Sequence, residues 1–238
     1  MDKLGIFIAV DGIDGAGKTT QVERLRAALE RAGEQVISSK EPTNGRWGRK
    51  LRESARNGRL SPQDELEAFV ADRHDHVESV IGPALADGKI VLVDRYFYST
   101  IAYQGARSGI EPCTLYSQMR ELFPVPDLAL LVDVLPEVGV HRISHSRGES
   151  PNEFERIDAL RDTRAAFLKL LDCAPEITLV NGHGDIDHVF HECSHTLVDG
   201  ALREKRCFKS YECDIFFCSF RETGECTWPS LRAKVLSA

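Results

Sequence analysis

The 238-residue chain has no apolar run approaching the ~20 residues that a helix needs to cross a bilayer. Its opening, Met1-Asp2-Lys3-Leu4-Gly5, lacks the layout of a secretory leader. Positive charge is not in excess. Thirty Lys and Arg stand against 37 Asp and Glu, a formal net charge of −7, which argues against non-specific nucleic-acid binding as the main activity while leaving room for a local basic patch that holds phosphates. No cysteine precedes Cys113, and the total of seven is odd. A disulfide scaffold is therefore not expected: Cys113 and Cys173 are read as ordinary thiols, and a reducing cytoplasm as the location. Internal repeats and low-complexity stretches are also missing. What is present, 42% apolar and 28% charged residues, is enough for a substantial core under a soluble surface.

Short apolar runs punctuate the chain at 5–10, 36–37, 90–93, 128–132 and 177–180. Each has the pattern of a buried strand. Between them lie helical patterns: Thr19 to Ala32 closed by Gly33, a long helix from Ser61-Pro62 that Gly82-Pro83 disturbs, and segments at 99–107, 113–123, 136–146, 153–172 and 185–203. Strand and helix alternate, which predicts an α/β fold: a central parallel sheet of about five strands with helices on both faces. The composition changes after Lys205, so residues 1–205 read as the domain and 206–238 as a Cys- and Phe-rich extension. Cys207, Cys213, Cys218 and Cys226 lack the close pairs of a zinc site. His188, His191 and His195 lie opposite an apolar stripe of Ile186, Val189, Phe190, Cys193 and Leu197, so they are read as solvent-facing.

Gly12-Ile13-Asp14-Gly15-Ala16-Gly17-Lys18-Thr19 fits the G-x-x-x-x-G-K-[ST] phosphate loop, with a buried strand before it and a helix after it. Its glycines let backbone N–H groups turn onto a β-phosphate at a helix N-terminus. Lys18 supplies a point charge to the β- and γ-phosphates, and the Thr19 hydroxyl suits Mg²⁺. A guanine-reading N-K-x-D or T-K-x-D string is absent.

A second anion site is also legible. At 100° per residue, Arg73 falls within ~20° of Leu66, inside a stripe of Phe69, Val70, Val77, Val80 and Ile81. A guanidinium there needs either an internal carboxylate or a bound anion. Asp94-Arg95 ends a strand, where α/β proteins place ligands. Arg95 suits a phosphate, and Asp94 suits orienting that arginine or a Mg²⁺-bound water. Arg142, Arg147 and Arg156 flank a Gly-Glu-Ser-Pro-Asn stretch, a layout suited to a lid at about 142–156.

Three blocks, FIAVDGIDGAGKTTQ from Phe7, the Phe-Val-Ala-Asp-Arg core within 60–77, and DRYFYSTIAYQG from Asp94, resemble the thymidylate kinase family of P-loop nucleoside monophosphate kinases. The resemblance runs from about Gly5 to Leu202. It implies that ATP and Mg²⁺ sit on Gly12 through Thr20 with Arg142 and Arg147, and that dTMP is the acceptor. It further implies Asp14 near the deoxyribose 3′-hydroxyl, Phe69 stacked on thymine, Arg73 at the base and phosphates, and Arg95 on the acceptor phosphate. Tyr103 would crowd the 2′ position, while Thr100 and Gln104 would reach the base edge. Lys18, Arg95, Arg147 and Asp14 would form the catalytic set, with Thr19 and Asp94 at the metal. A cytoplasmic homodimer acting on small nucleotides, with no nucleic-acid or membrane partner, is also implied. Departures from the family pattern are Lys40-Glu41-Pro42-Thr43-Asn44 for the usual Arg-Glu-Pro-Gly-Gly, Tyr98 where aspartate is common, and Glu153 for a lid arginine. The alternatives are a kinase for a related nucleotide such as dUMP, or a P-loop regulatory ATPase without an acceptor.

Overall fold

The five apolar runs become five parallel strands in the order β2-β3-β1-β4-β5. The computed structural model describes residues 4–147 and 157–202. In chain order its strands are β1 (Ile6–Asp11), β2 (Val36–Lys40), β3 (Ile90–Asp94), β4 (Leu128–Asp133) and β5 (Ile177–Asn181). Its helices are α1 (Lys18–Arg31), α2 (Arg46–Asn57), α3 (Pro62–His76), α4 (Gly82–Ala86), α5 (Phe97–Thr100), α6 (Ala106–Ser108), α7 (Pro112–Leu122), α8 (Pro136–Arg147), α9 (Ile157–Lys169) and α10 (Ile186–Leu197).

Strand burial follows position in the sheet. β1 and β3 are central and buried at every residue, whereas the edge strands β2 and β5 are largely half-buried or exposed. Their pairing sets Ile8 beside Leu92 on one side and Leu128 on the other. Helix α1 packs against β1, β2 and β3 with α10 beside it, while α7 and α9 enclose the segment after β3. All strands run the same way, so the carboxyl ends of β1, β3, β4 and β5 open onto one edge, and the loops there can share a ligand.

Helix starts follow local chemistry. Ser61 Oγ accepts the Asp64 N–H at 3.1 Å with Pro62 in the first turn, as expected for α3. Gly82-Pro83 does not stop that helix. The chain widens into a π turn over Val77–Ile81 and continues as α4, because the Gly82 N–H reaches back to the Val77 carbonyl. A second π turn, Ile101–Gly105, divides the expected 99–107 helix into α5 and α6. A third follows α10, over Val198–Leu202.

One helix was missed, and three readings need correction. Helix α2 has no counterpart in the sequence reading. Cys113 and Cys173 are not free thiols: they form a disulfide across 60 residues of chain. Helix α7 and the turn after α9 bring their Cα atoms to 5.9 Å, a proximity that sequence distance hides. On α3, the apolar residues Leu66, Phe69 and Val70 are only half-buried, whereas the deepest side chains are Glu65, Ala68, Asp72, Arg73 and His76. On α10, Val189, Phe190, Cys193 and Leu197 are buried as read, but Ile186 is exposed. Burial pushes the Cys193 thiol up to about 12. The Glu153 and Arg156 readings and the 206–238 extension with its four cysteines lie outside the described residues.

Candidate active site

The loop after β1 is built on three glycines with positive φ: Gly12 at 143°, Gly15 at 78° and Gly17 at 94°. Space forbids a side chain at two of them. A Cβ on Gly12 would lie 2.4 Å from the Val132 carbonyl oxygen, and one on Gly15 would lie 2.2 Å from that of Gly139 in α8. Only conformation demands glycine at Gly17, which has open space around it and precedes α1.

Lys18 is folded inward, its Nζ donating to the Ile13 carbonyl at 2.7 Å. Burial pushes this ammonium down to about 7, helped by Arg95, while Asp14, Asp94 and Asp11 pull the other way. Thr19 Oγ1 donates to Asp94 Oδ2, and Lys40 Nζ bonds the same two oxygens at 3.1 and 2.9 Å. Burial works against the Asp94 carboxylate, yet Lys18 and Lys40 with the Thr19 hydroxyl hold it below the usual carboxylate range. Its other oxygen, Oδ1, is buried without a protein partner. Deeper in the site, burial raises the Asp11 carboxyl, which accepts the Tyr96 N–H and the Ser99 hydroxyl.

Arg95 follows β3 with φ of 69°, outside the range a side chain ordinarily prefers. That turn sends its guanidinium across the phosphate loop rather than back to Asp94. Nη2 donates to Asp14 Oδ1 at 2.5 Å, and Nη1 to Ser99 Oγ at 3.1 Å. The local Asp94–Arg95 pairing is thus replaced by an Arg95–Asp14 ion pair. Tyr103 completes the group: its ring lies under Arg95, and its hydroxyl accepts from the Asp14 N–H at 3.0 Å and donates to Asp14 Oδ2 at 3.1 Å.

Arg73 has the internal carboxylate that a buried guanidinium requires. Nε and Nη2 both donate to Glu41 Oε2, at 2.9 and 2.7 Å, and Nη2 also reaches Thr100 Oγ1 at 2.9 Å. The third nitrogen, Nη1, is buried with no protein partner. An ion pair and an available donor therefore coexist in one side chain.

Lys18, Thr19, Lys40, Glu41, Arg73, Arg95, Ser99 and Tyr103 line a single cleft of about 1130 Å³, whereas Asp94 and Asp11 are not among its lining residues. Its volume lies just above the upper end of the roughly 300–1,000 Å³ usual for a small-molecule site. Asp14 through Thr20 line one part of it, with Arg142; Phe69, Arg73, Arg95, Thr100, Tyr103 and Gln104 line another. Gly12 and Ile13 are buried beneath the loop instead. Arg142 Nη2 donates to the Gly182 carbonyl at 3.0 Å, tying α8 to the loop after β5. Arg147 ends α8, but its side chain lies outside the description.

Some lining residues were not anticipated. Lys40, Arg52 and Ser99 contribute, as do Gly184, Asp185 and Ile186 from the start of α10. The signal was available for the last group: a Gly-His-Gly-Asp loop follows the carboxyl end of β5, on the binding edge of the sheet. Tyr98, by contrast, is no site residue. It is buried, and its hydroxyl donates to Glu176, which also takes the Tyr116 hydroxyl.

The thymidylate kinase family model matches residues 10–192. A thymidylate kinase of Xanthomonas campestris pv. campestris (strain B100) is 47% identical over 201 residues, 84% of this chain and 86% of that protein. One from Xanthomonas oryzae pv. oryzae (strain PXO99A) is 46% identical with the same coverage. One from Xylella fastidiosa (strain M12) is 45% identical over 70% of this chain and 75% of its own. By this match, and by the phosphate loop and Asp94-Arg95 that fall within it, the chain belongs to the thymidylate kinase family.

Proposed function

We propose that the chain transfers the γ-phosphoryl group of ATP to dTMP, giving ADP and dTDP. The observation that carries this reading is the single cleft lined both by the phosphate loop and by Phe69, Arg73, Arg95 and Tyr103. A regulatory ATPase has no use for the second set.

In the proposed reaction an oxygen of the dTMP phosphate bonds the γ-phosphorus while the bond from that phosphorus to the β–γ bridging oxygen breaks, and ADP leaves. The nucleophile is mostly ionised at neutral pH, its second pKa being about 6, so no general base is required. Catalysis then rests on alignment and on neutralising the transferring group. Lys18 and the N–H groups of Gly15 to Thr19 hold the donor phosphates. Arg95 holds the acceptor phosphate, and Asp14, fixed by Tyr103, orients the sugar. Phe69 offers a ring face to the base, with Arg73, Thr100 and Gln104 at its polar edge. Arg142 and Arg147 carry the lid side.

Mg²⁺ fits this donor set. Thr19 Oγ1 lies against Asp94, whose Oδ1 is buried and unpartnered, which suits an ion or its water shell. Held by Thr19 and Asp94, the ion would supply positive charge to neutralise the donor phosphates. The family likeness also supports a cytoplasmic homodimer. Among the described residues, no helix is long and apolar enough to cross a membrane.

Lys18→Ala or Arg95→Ala should lower dTMP-dependent turnover by roughly 100-fold or more, the scale for losing one preorganised charge contact. Circular dichroism should remain that of the folded protein. Normal turnover in either folded variant would sink the assignment.

A further inference from the structure

The deepest face of α3 is polar, and one of its residues has no place in the reaction above. His76 is 3% exposed and lies one turn from Arg73. Its Nδ1 is 2.9 Å from Glu41 Oε1, and its Nε2 is 2.8 Å from Ser39 Oγ. A carboxylate only accepts, so Nδ1 carries the hydrogen and donates; in the neutral ring, Nε2 then accepts from the serine hydroxyl. Ser39, His76, Glu41, Arg73 and Thr100 thus form one connected chain from β2 to the cleft.

The division of Glu41 between its two partners is the informative feature. Oε1 belongs to His76, so Arg73 is left with Oε2 alone, shared by Nε and Nη2. An arginine facing a carboxylate with both oxygens free prefers a two-bond fork. In that arrangement the carboxylate turns and the guanidinium follows it. That turn would break the 2.9 Å bond between His76 Nδ1 and Glu41 Oε1. The rings of Tyr96 and Phe123, 5.1 and 5.4 Å from Arg73 Cζ, bound the remaining freedom. Nη1 is left buried, without a protein partner, on a side chain that lines the cleft.

We propose that His76 is a positioning residue for acceptor recognition: by occupying Glu41 Oε1 it keeps Arg73 Nη1 directed at a hydrogen-bond acceptor on the incoming nucleotide. The inference rests on the reading that the Arg73 side of the cleft takes the acceptor. It assigns His76 no contact with substrate and no proton transfer.

Two near-isosteric variants separate this role from simple packing. The amide nitrogen of asparagine can take the place of Nδ1, whereas that of glutamine reaches toward Nε2. His76→Asn should therefore keep the dTMP KM within about 3-fold of the parent, and His76→Gln should raise it about 10-fold or more, the scale for a lost bond to a charged group. In both, kcat and the ATP KM should stay within about 3-fold. Ser39→Ala, at a half-buried site that tolerates truncation, should raise the dTMP KM about 2-fold alone and add nothing to His76→Gln, as for members of one network. Side-chain ¹⁵N spectra of Arg73 provide a readout independent of turnover: its Nε–H signal should move in His76→Gln and hold in His76→Asn. Equal KM shifts in the two His76 variants, a parallel fall in kcat, or an Arg73 signal indifferent to His76→Gln would overturn the relay. Parent protein that releases no ADP with dTMP would instead overturn the kinase reading, while the Arg73 spectra still decide the relay.

Discussion

Lys18 shows how one residue is set against stability and in favour of chemistry. Its folded pKa of about 7 lies below the ordinary 10.5, chiefly because burial disfavours the ammonium. Between these values the unfolded chain binds more protons than the folded one, so stability of the nucleotide-free protein rises with pH across that window. Lys18→Met should therefore raise the Tm at pH 7, even as it removes turnover, and this advantage should shrink as pH approaches 10. A Tm lowered at pH 7 would contradict the burial cost. Bound phosphates reverse the balance by favouring the charged lysine. At pH 8, ADP binding should take up a fraction of a proton, read as a dependence of binding heat on buffer ionisation enthalpy. Proton release would contradict the assignment of Lys18 to the phosphates.

The residues of this site were unequally legible. Lys18, Thr19 and Arg95 were marked by spacing and by the ends of strands. Arg73 was marked by a charge inside an apolar stripe, although the stripe proved half-buried and the deep face polar. His76 and Ser39 carried no mark, and Glu41 none beyond its place in the family's Glu-Pro string, since their partners stand 32 to 37 positions away. The tie between Asp14, Arg95 and Tyr103 crosses more than 80 positions and depends on a backbone turn at Arg95 that no local pattern announces.

At the scale of elements, apolar runs made the strands plain because a parallel sheet covered on both faces needs little else. Helix α2 escaped for the opposite reason: of its residues only Gly48 and Leu51 are buried, so it has no apolar stripe to read. It is held partly by Arg52, whose guanidinium donates to the carbonyls of Pro42 and Thr43. The disulfide escaped because pairing is a property of how α7 and α9 lie together. In the chain-entropy picture, closing a loop of 60 residues stabilises by about 4 kcal/mol, an upper figure that strain and residual structure reduce. Reductant should lower the Tm of the parent and leave Cys113→Ser unmoved. If reductant changed neither, the bond would not form in solution. The contact between the phosphate loop and α8 gives a second test. Gly15→Ala forces a Cβ against the Gly139 carbonyl at positive φ, so it should push α8 and Arg142 away and raise the ATP KM about 10-fold or more. An unchanged ATP KM would mean that α8 adjusts without consequence.

At the scale of the whole molecule, one topological fact gathers the site. Parallel strands deliver the phosphate loop, Asp94-Arg95, α8 and the Gly182–Asp185 loop to the same edge of the sheet, around one cleft. On the proposed reading, donor and acceptor phosphates would meet inside this one cleft, with Lys18 and Arg95 as the charges that serve them. The measurement that tests this most directly is ADP release from ATP and Mg²⁺ by the purified protein. Acceptors to compare side by side are dTMP, dUMP, dCMP, the ribose form of TMP, and thymidine. The account predicts rapid release with dTMP, matched by dTDP, and none above background with thymidine, which lacks the accepting phosphate. If no monophosphate raised release above the basal rate, the Arg73–Arg95 side of the cleft would not be an acceptor site, and a regulatory ATPase would take its place.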